Sequence, residues 1–253
     1  MRGFIFLRVF RLKRQVFWAL VLALLFAGAL YPYYVSYRER QAIEALSWSV
    51  AGKVIVVDPG HGGIDPGCVG KSGVQEKDIN LELARRLAVF FNQAGARVIL
   101  TREGDYDLSD EKYRAQLKLR QKDDLEARVE IARKYQADLF ISIHVNAISL
   151  SDCWGAQVFY HPQSREGKRL AALIQRELIK TVGESYRWIK PEDFFVLRSV
   201  GCPAVIVEAG FISHPREETL LQDPVYQNKL AWCVYAGVVR YFSGEPEPRE
   251  PDY

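Results

Sequence analysis

From Val54 onward the chain alternates short apolar runs, rich in β-branched residues, with longer stretches whose apolar residues recur at helical spacing, and few architectures accept that alternation. Residues 54–57 form a continuous β-branched run, the pattern of a strand covered on both faces. Residues 78–94 place Ile79, Leu83, Leu87 and Phe90 or Phe91 on one side and stop at Gly95, which predicts a helix. A strand at 97–101, an amphipathic helix at 125–135 and a strand at 139–143 follow, then a strand at 156–160 and a helix near 166–182. Strands at 195–197 and 205–207 and a final helix at 225–242, with Tyr226, Leu230, Val234 and Val238 inward, complete the series. The expected fold class is α/β: a single domain with a mostly parallel sheet flanked by helices. The charge-dense stretch 106–124 reads as an exposed excursion that extends the next helix backward. The tail 243–253, with Pro246, Pro248 and Pro251 among charges, reads as disordered.

One hydrophobic segment precedes this domain. Residues 1–15 carry Arg2, Arg8, Arg11, Lys13 and Arg14 and no acid, a basic cytoplasmic leader. Residues 16–35 contain no charge; as a helix they would be roughly 30 Å long, about one hydrocarbon core. Tyr31, Tyr33 and Tyr34 suit an interfacial belt, and the basic flank predicts the N-terminus inside and the bulk of the chain outside the cytoplasm. Ala27-Gly28-Ala29 resembles a signal-peptidase site, whereas the apolar run continuing past it favours an uncleaved membrane anchor. Residues 36–52 read as a spacer, helical around 40–46. Of the 34 Lys+Arg, five lie in the leader, leaving 29 against 31 Asp+Glu. The folded part therefore has no cationic surplus for a nucleic acid. Cys68, Cys153, Cys202 and Cys233 form no C-x-x-C pair, so a four-thiolate zinc site has no support; disulfides outside the cytoplasm stay open, and Cys233 reads as a small buried hydrophobe.

In such a fold reactive groups gather at the carboxyl ends of strands. His61 lies between glycines in Asp58-Pro59-Gly60-His61-Gly62-Gly63, His144 follows the strand Leu-Phe-Ile-Ser-Ile, Glu208 follows Val-Ile-Val, and Glu76 lies just before a helix. Taken singly each has a bland explanation: a turn histidine, a hydrogen-bonded core histidine, a salt-bridged carboxylate, an acid in a first helical turn. Together, two imidazoles and a carboxylate are the ligands of an open catalytic zinc site, and a further carboxylate can move protons. Gly70-Lys71-Ser72 imitates the end of a phosphate-binding loop, but Asp65 stands where glycine is needed and Gly73 follows instead of a helix, so no nucleotide is expected.

The ordered segments Val57-Asp58-Pro59-Gly60-His61-Gly62-Gly63, Gln75-Glu76-Lys77, Leu100-Thr101-Arg102, Ile141-Ser142-Ile143-His144-Val145-Asn146-Ala147 and Val207-Glu208-Ala209-Gly210-Phe211-Ile212-Ser213 resemble the zinc-dependent N-acetylmuramoyl-L-alanine amidases of the Amidase_3 type. The likeness covers about 53–242. It implies a roughly six-stranded sheet, a catalytic amidase domain at 53–242, one Zn2+ per chain on His61, Glu76 and His144, and Glu208 as the catalytic carboxylate. The substrate it implies is bacterial peptidoglycan, cut between N-acetylmuramic acid and the L-alanine of the stem peptide, at the cell envelope. The short build is similar to the germination-specific branch, which acts on spore cortex; any activating protein partner is left unidentified. Arg133 and His214 depart from the asparagines common in the family. Arg102, at a strand end, is a candidate for a stem-peptide carboxylate or for a surface salt bridge. A zinc carboxypeptidase or endopeptidase acting on the stem peptide, and a non-catalytic wall-binding protein, are the alternatives.

Overall fold

The uncharged run that begins at Val16 belongs to one helix, α1 (Arg14–Leu46), which is long and apolar enough to cross a membrane. In this computed structural model the described residues are 14–113, 115–148, 153–182 and 187–250, so the leader up to Lys13 and the last three residues of the tail lie outside them. The chain divides into two units at Ala45/Leu46. Residues 36–46 are not a separate spacer: they continue α1, with Arg38 donating to the Tyr34 hydroxyl and Gln41 to Glu44 one helical turn apart.

The second unit opens with a 3-10 turn, Ser47–Val50, whose Ser49 hydroxyl donates to the Val239 carbonyl. Six strands follow in one sheet: β1 (Val54–Pro59), β2 (Arg97–Leu100), β3 (Leu139–Asn146), β4 (Gln157–Tyr160), β5 (Lys190–Pro191) and β6 (Ala204–Phe211). Their order is β2-β1-β3-β6-β4-β5, parallel except where β4 meets β6. The expected α/β class and six-stranded, mostly parallel sheet are thus found. Helices α2 (Glu76–Gln93), α4 (Arg165–Val182) and α7 (Pro224–Phe242) lie on one another and on the sheet. Leu83, Leu87, Leu178, Leu230 and Val234 surround Ile143 and Val207 there. The other face carries α3 (Leu117–Lys134) and α5 (Phe195–Ser199), whose Val129, Ala132, Val196 and Leu197 cluster with Val56, Phe140 and Ile206. Between α5 and α7 lies α6 (Pro215–Leu221), capped by the His214 side chain.

Three boundaries differ from the sequence expectation. Residues 195–197 are helix, not strand: Val196, Leu197 and Val200 are buried at helical spacing, and the edge strand is Lys190–Pro191 instead. The strands expected to end at 143 and 207 run on to Asn146 and Phe211, so His144 and Glu208 lie inside the sheet. The tail is tied down through Glu245, paired with Arg176 at 2.8 Å and Arg240 at 3.0 Å, and Glu247, paired with Lys168 at 2.9 Å.

Gly237 lets α7 approach α4: a Cβ there would stand 2.6 Å from the Ile174 Cα. Gly237→Ala is expected to lower unfolding stability by about 1–3 kcal/mol through overpacking, read as a lower urea midpoint at unchanged m-value.

Candidate active site

The strand order changes direction between β1 and β3, since β2 lies outside β1 and every later strand lies on the far side of it. A crevice opens at such a switch point beyond the carboxyl ends of the strands. His61, just past β1, and His144, in β3, face each other there with ring centroids 5.0 Å apart. Pairing of β3 with β6 sets His144 directly against Glu208, followed by an irregularity in register before Asn146↔Phe211. Glu76 is the first residue of α2; its Oε1 lies 3.3 Å from His61 Nε2 and 3.0 Å from His144 Nδ1. One ligand-type atom from each of His61, Glu76 and His144 falls within 4.8 Å of the others, a grouping able to hold a metal ion.

The loop after β1 is held in a costly conformation. His61 has φ +62°, the left-handed region that non-glycine residues rarely adopt. Two buried guanidiniums lock it. Arg128 donates to the Pro59 and His61 carbonyls at 2.9 Å each, and Arg102 to those of Pro59, Gly60, Lys77 and Gly104 at 2.8–3.0 Å. Arg102, 1% exposed, is therefore neither a substrate clamp nor a surface ion pair; it is spent on backbone. Gly60 is needed because a Cβ would run into the His144 imidazole.

Arg128 is itself neutralised by Asp58 Oδ1 at 2.5 Å and Asp124 Oδ2 at 2.7 Å. Asp58, 1% exposed, also accepts from the Thr101 and Ser142 hydroxyls at 2.6 Å each. Burial works to raise its pKa, but Arg128 and the two hydroxyls outweigh it and hold the carboxyl below its usual range.

The cluster is polarised in the same way. His61 Nδ1 lies 2.8 Å from Asp65 Oδ2, which places the proton on Nδ1 and turns Nε2 toward Glu76. Although burial opposes it, Asp65 and Glu76 raise His61 to about 10. Glu76, 2% exposed, accepts from the Cys68 and Val145 amides at 2.8 and 3.0 Å, and despite its burial the two imidazoles hold its carboxyl far below the usual range. Burial pushes Glu208 up to about 7, with the Glu76 charge adding and the imidazoles opposing. Glu208 Oε2 is buried without a hydrogen-bond partner. Burial also pushes the Cys68 thiol up to about 12, so it offers no thiolate, and all four cysteines are free.

Other histidines lie elsewhere: His161 pairs with Asp193, and His214 Nδ1 accepts from the Glu217 amide. Arg133 donates to the Ser199 carbonyl. Gly70-Lys71-Ser72 is no phosphate loop; the Ser72 amide and hydroxyl both donate to Glu218 at 2.7 Å. Sequence reasoning missed Asp65 and Arg128. Asp65 is four residues from His61, and only a loop turning back through Gly62 and Gly63, both at positive φ, brings it into reach.

A mostly parallel α/β sheet gathers two imidazoles and a carboxylate around one point, beside a second carboxylate with an unengaged buried oxygen, a donor set able to hold a metal ion. The family model for N-acetylmuramoyl-L-alanine amidases matches residues 55–240, and the chain belongs to that family of enzymes. Over 206 residues it is 40% identical to the germination-specific N-acetylmuramoyl-L-alanine amidase of Bacillus subtilis, covering 80% of this chain and 86% of that one. Escherichia coli amidase AmiA is 32% identical over 235 residues, covering 75% of this chain and 76% of AmiA. Among solved structures, the CwlD amidase of Clostridioides difficile, determined in complex with the GerS lipoprotein, superposes with a TM-score of 0.74 at 39% identity over 76% of this chain and all of that one.

Arg128→Met leaves the Asp58 carboxylate buried without its counter-charge and is expected to cost about 3–5 kcal/mol in chemical unfolding; adding Asp58→Asn restores part of the loss. Because the folded-state pKa of Asp58 is depressed, its contribution is complete above about pH 4 and is lost as pH falls below. In Asp58→Asn that acid-dependent component should be missing from a pH series of unfolding midpoints.

Proposed function

We propose that the chain hydrolyses the amide joining the lactyl group of N-acetylmuramic acid to the stem-peptide L-alanine, outside the cytoplasm. By likeness to its germination-specific relative, the layer it acts on is spore cortex. The observation that carries the reading is the convergence of His61, Glu76 and His144 beside Glu208.

The donor set suits zinc. Two neutral imidazole nitrogens and one carboxylate are the ligands of an open catalytic zinc site, and a divalent cation there would meet the Glu76 carboxylate that both imidazoles already face. One ion per chain would sit on His61, Glu76 and His144. Bound there, zinc supplies Lewis acidity for the carbonyl under attack and makes water a stronger acid. Glu208 takes a proton from the attacking water at its unengaged Oε2 and passes it to the L-alanine nitrogen as the amide breaks. Asp65 holds the His61 ring so that Nε2 stays available, the part that a carboxylate behind a metal-bound histidine plays. Helix α1 serves as membrane anchor or signal sequence, with the catalytic domain at 53–242 outside. Since CwlD was solved with a lipoprotein, an extracytoplasmic protein partner for this chain fits the same reading.

Glu208→Gln should keep one zinc per chain by metal analysis and lose roughly 10²–10⁴-fold in release of peptides beginning with free L-alanine, followed by mass spectrometry of digested peptidoglycan. Release at the wild-type rate would remove the role given to Glu208. Asp65→Asn should weaken zinc binding about 10–100-fold, measured by competition with a chelating dye. Unchanged affinity would show that Asp65 does not position His61.

A further inference from the structure

The crevice that contains His61, His144 and Glu208 is a cavity of about 330 Å³ on the α3/α5 face of the sheet. Its remaining wall is chiefly apolar and comes from side chains given no part in the chemistry above. Leu117 and Leu125 are contributed by α3, Phe194 and Phe195 by the start of α5, and Ile64 by the loop after β1. Of these, Leu117 is 57% exposed, Ile64 56% and Phe194 40%, unusual for large apolar side chains clustered in one depression.

The charges in this cavity are unsuited to an anionic ligand. Asp58, Asp65, Asp107, Asp124 and Glu208 line it against only two guanidiniums, and both are engaged. Arg120 pairs with Asp107 at 2.6 Å, and Arg128 with Asp58 and Asp124. Glu76 adds a further carboxylate beside it, so even a divalent cation at the histidine cluster leaves no positive excess. Arg102, the other buried cation nearby, is spent on carbonyls. The two sides of the scissile amide differ in this respect. The stem peptide carries carboxylates from its second residue onward, whereas the glycan beside the muramoyl residue is uncharged, with apolar ring faces and amide-bearing N-acetyl groups. An apolar wall with net negative charge discriminates against the first and accepts the second.

We propose that this wall, with Phe194 as its platform and the Gln121 amide at its edge, is the glycan subsite: it holds the uncharged sugar flanking the scissile muramoyl residue, while the stem peptide leaves the site by another side with its carboxylates unread. The assignment rests on the amidase reading above. It also gives the excursion at 106–124 a purpose, since Asp107, Leu117, Arg120, Gln121 and Asp124 all belong to the cavity wall.

Four soluble substrates test it: a disaccharide-peptide and the matching muramoyl-peptide lacking the neighbouring sugar, each with the second-residue α-carboxylate free or amidated. For the wild-type protein, removing the sugar should lower kcat/KM about tenfold or more, and amidation should change it less than about threefold. Phe194→Ala, half-exposed and folded by its thermal midpoint, should raise KM for the disaccharide-peptide about tenfold at unchanged kcat and leave the muramoyl-peptide nearly as before. A tenfold response to amidation, or an equal effect of Phe194→Ala on both substrates, overturns the glycan assignment while L-alanine-terminated product still confirms the amidase. If no substrate yields such product, the amidase reading falls and the subsite with it.

Discussion

Parallel pairing of β1, β3 and β6 is the constraint from which the rest of this molecule follows. Side chains alternate along a strand, so the register that sets Asp58 against Ser142 also sends His144 to the same face two residues later, and the β3/β6 register places Glu208 beside it. A slip of one residue would turn His144 and Glu208 into the α2/α4/α7 layer and bring Ile143 and Val207 out into the crevice. The apolar packing on that opposite face, around Ile143 and Val207, thereby fixes the chemistry on this one.

What the sheet cannot do is shape the loop that carries His61. That task falls to Arg102 and Arg128, which reach the loop from elsewhere in the chain and satisfy its buried carbonyls. Buried guanidiniums are expensive to desolvate, and Arg128 is tolerable only because Asp58 and Asp124 meet it with good geometry. The strain at His61 and the cost of the buried pairs are offset by a site whose ring orientation is settled before any ligand arrives. Asp65 completes the arrangement by fixing which imidazole nitrogen faces Glu76.

Electrostatics then divides the crevice. Carboxylates gathered near the histidines favour a cation at the cluster, and the same excess of negative charge, with every local guanidinium engaged, makes the surrounding wall a poor receptor for anions. One distribution of charge thus underlies both the proposed metal site and the proposed glycan subsite.

Much of this was legible without coordinates. The alternation of β-branched runs with helical spacing determined the α/β class, and its ordered motifs pointed to His61, Glu76, His144 and Glu208, because strand ends and helix starts leave strong local patterns. Short elements were not: the three apolar residues at 195–197 look alike as strand or helix, and only burial at Val196, Leu197 and Val200 decides between them. Arg102 at a strand end reads as a substrate clamp or a surface salt bridge and is neither, since nothing local shows that four carbonyls await it. Local sequence alone determined the longer elements and which residues carry reactive groups. Tertiary structure decided which of those groups meet, how His61 is turned and which charges are already spent, because these depend on contacts between residues far apart in the chain.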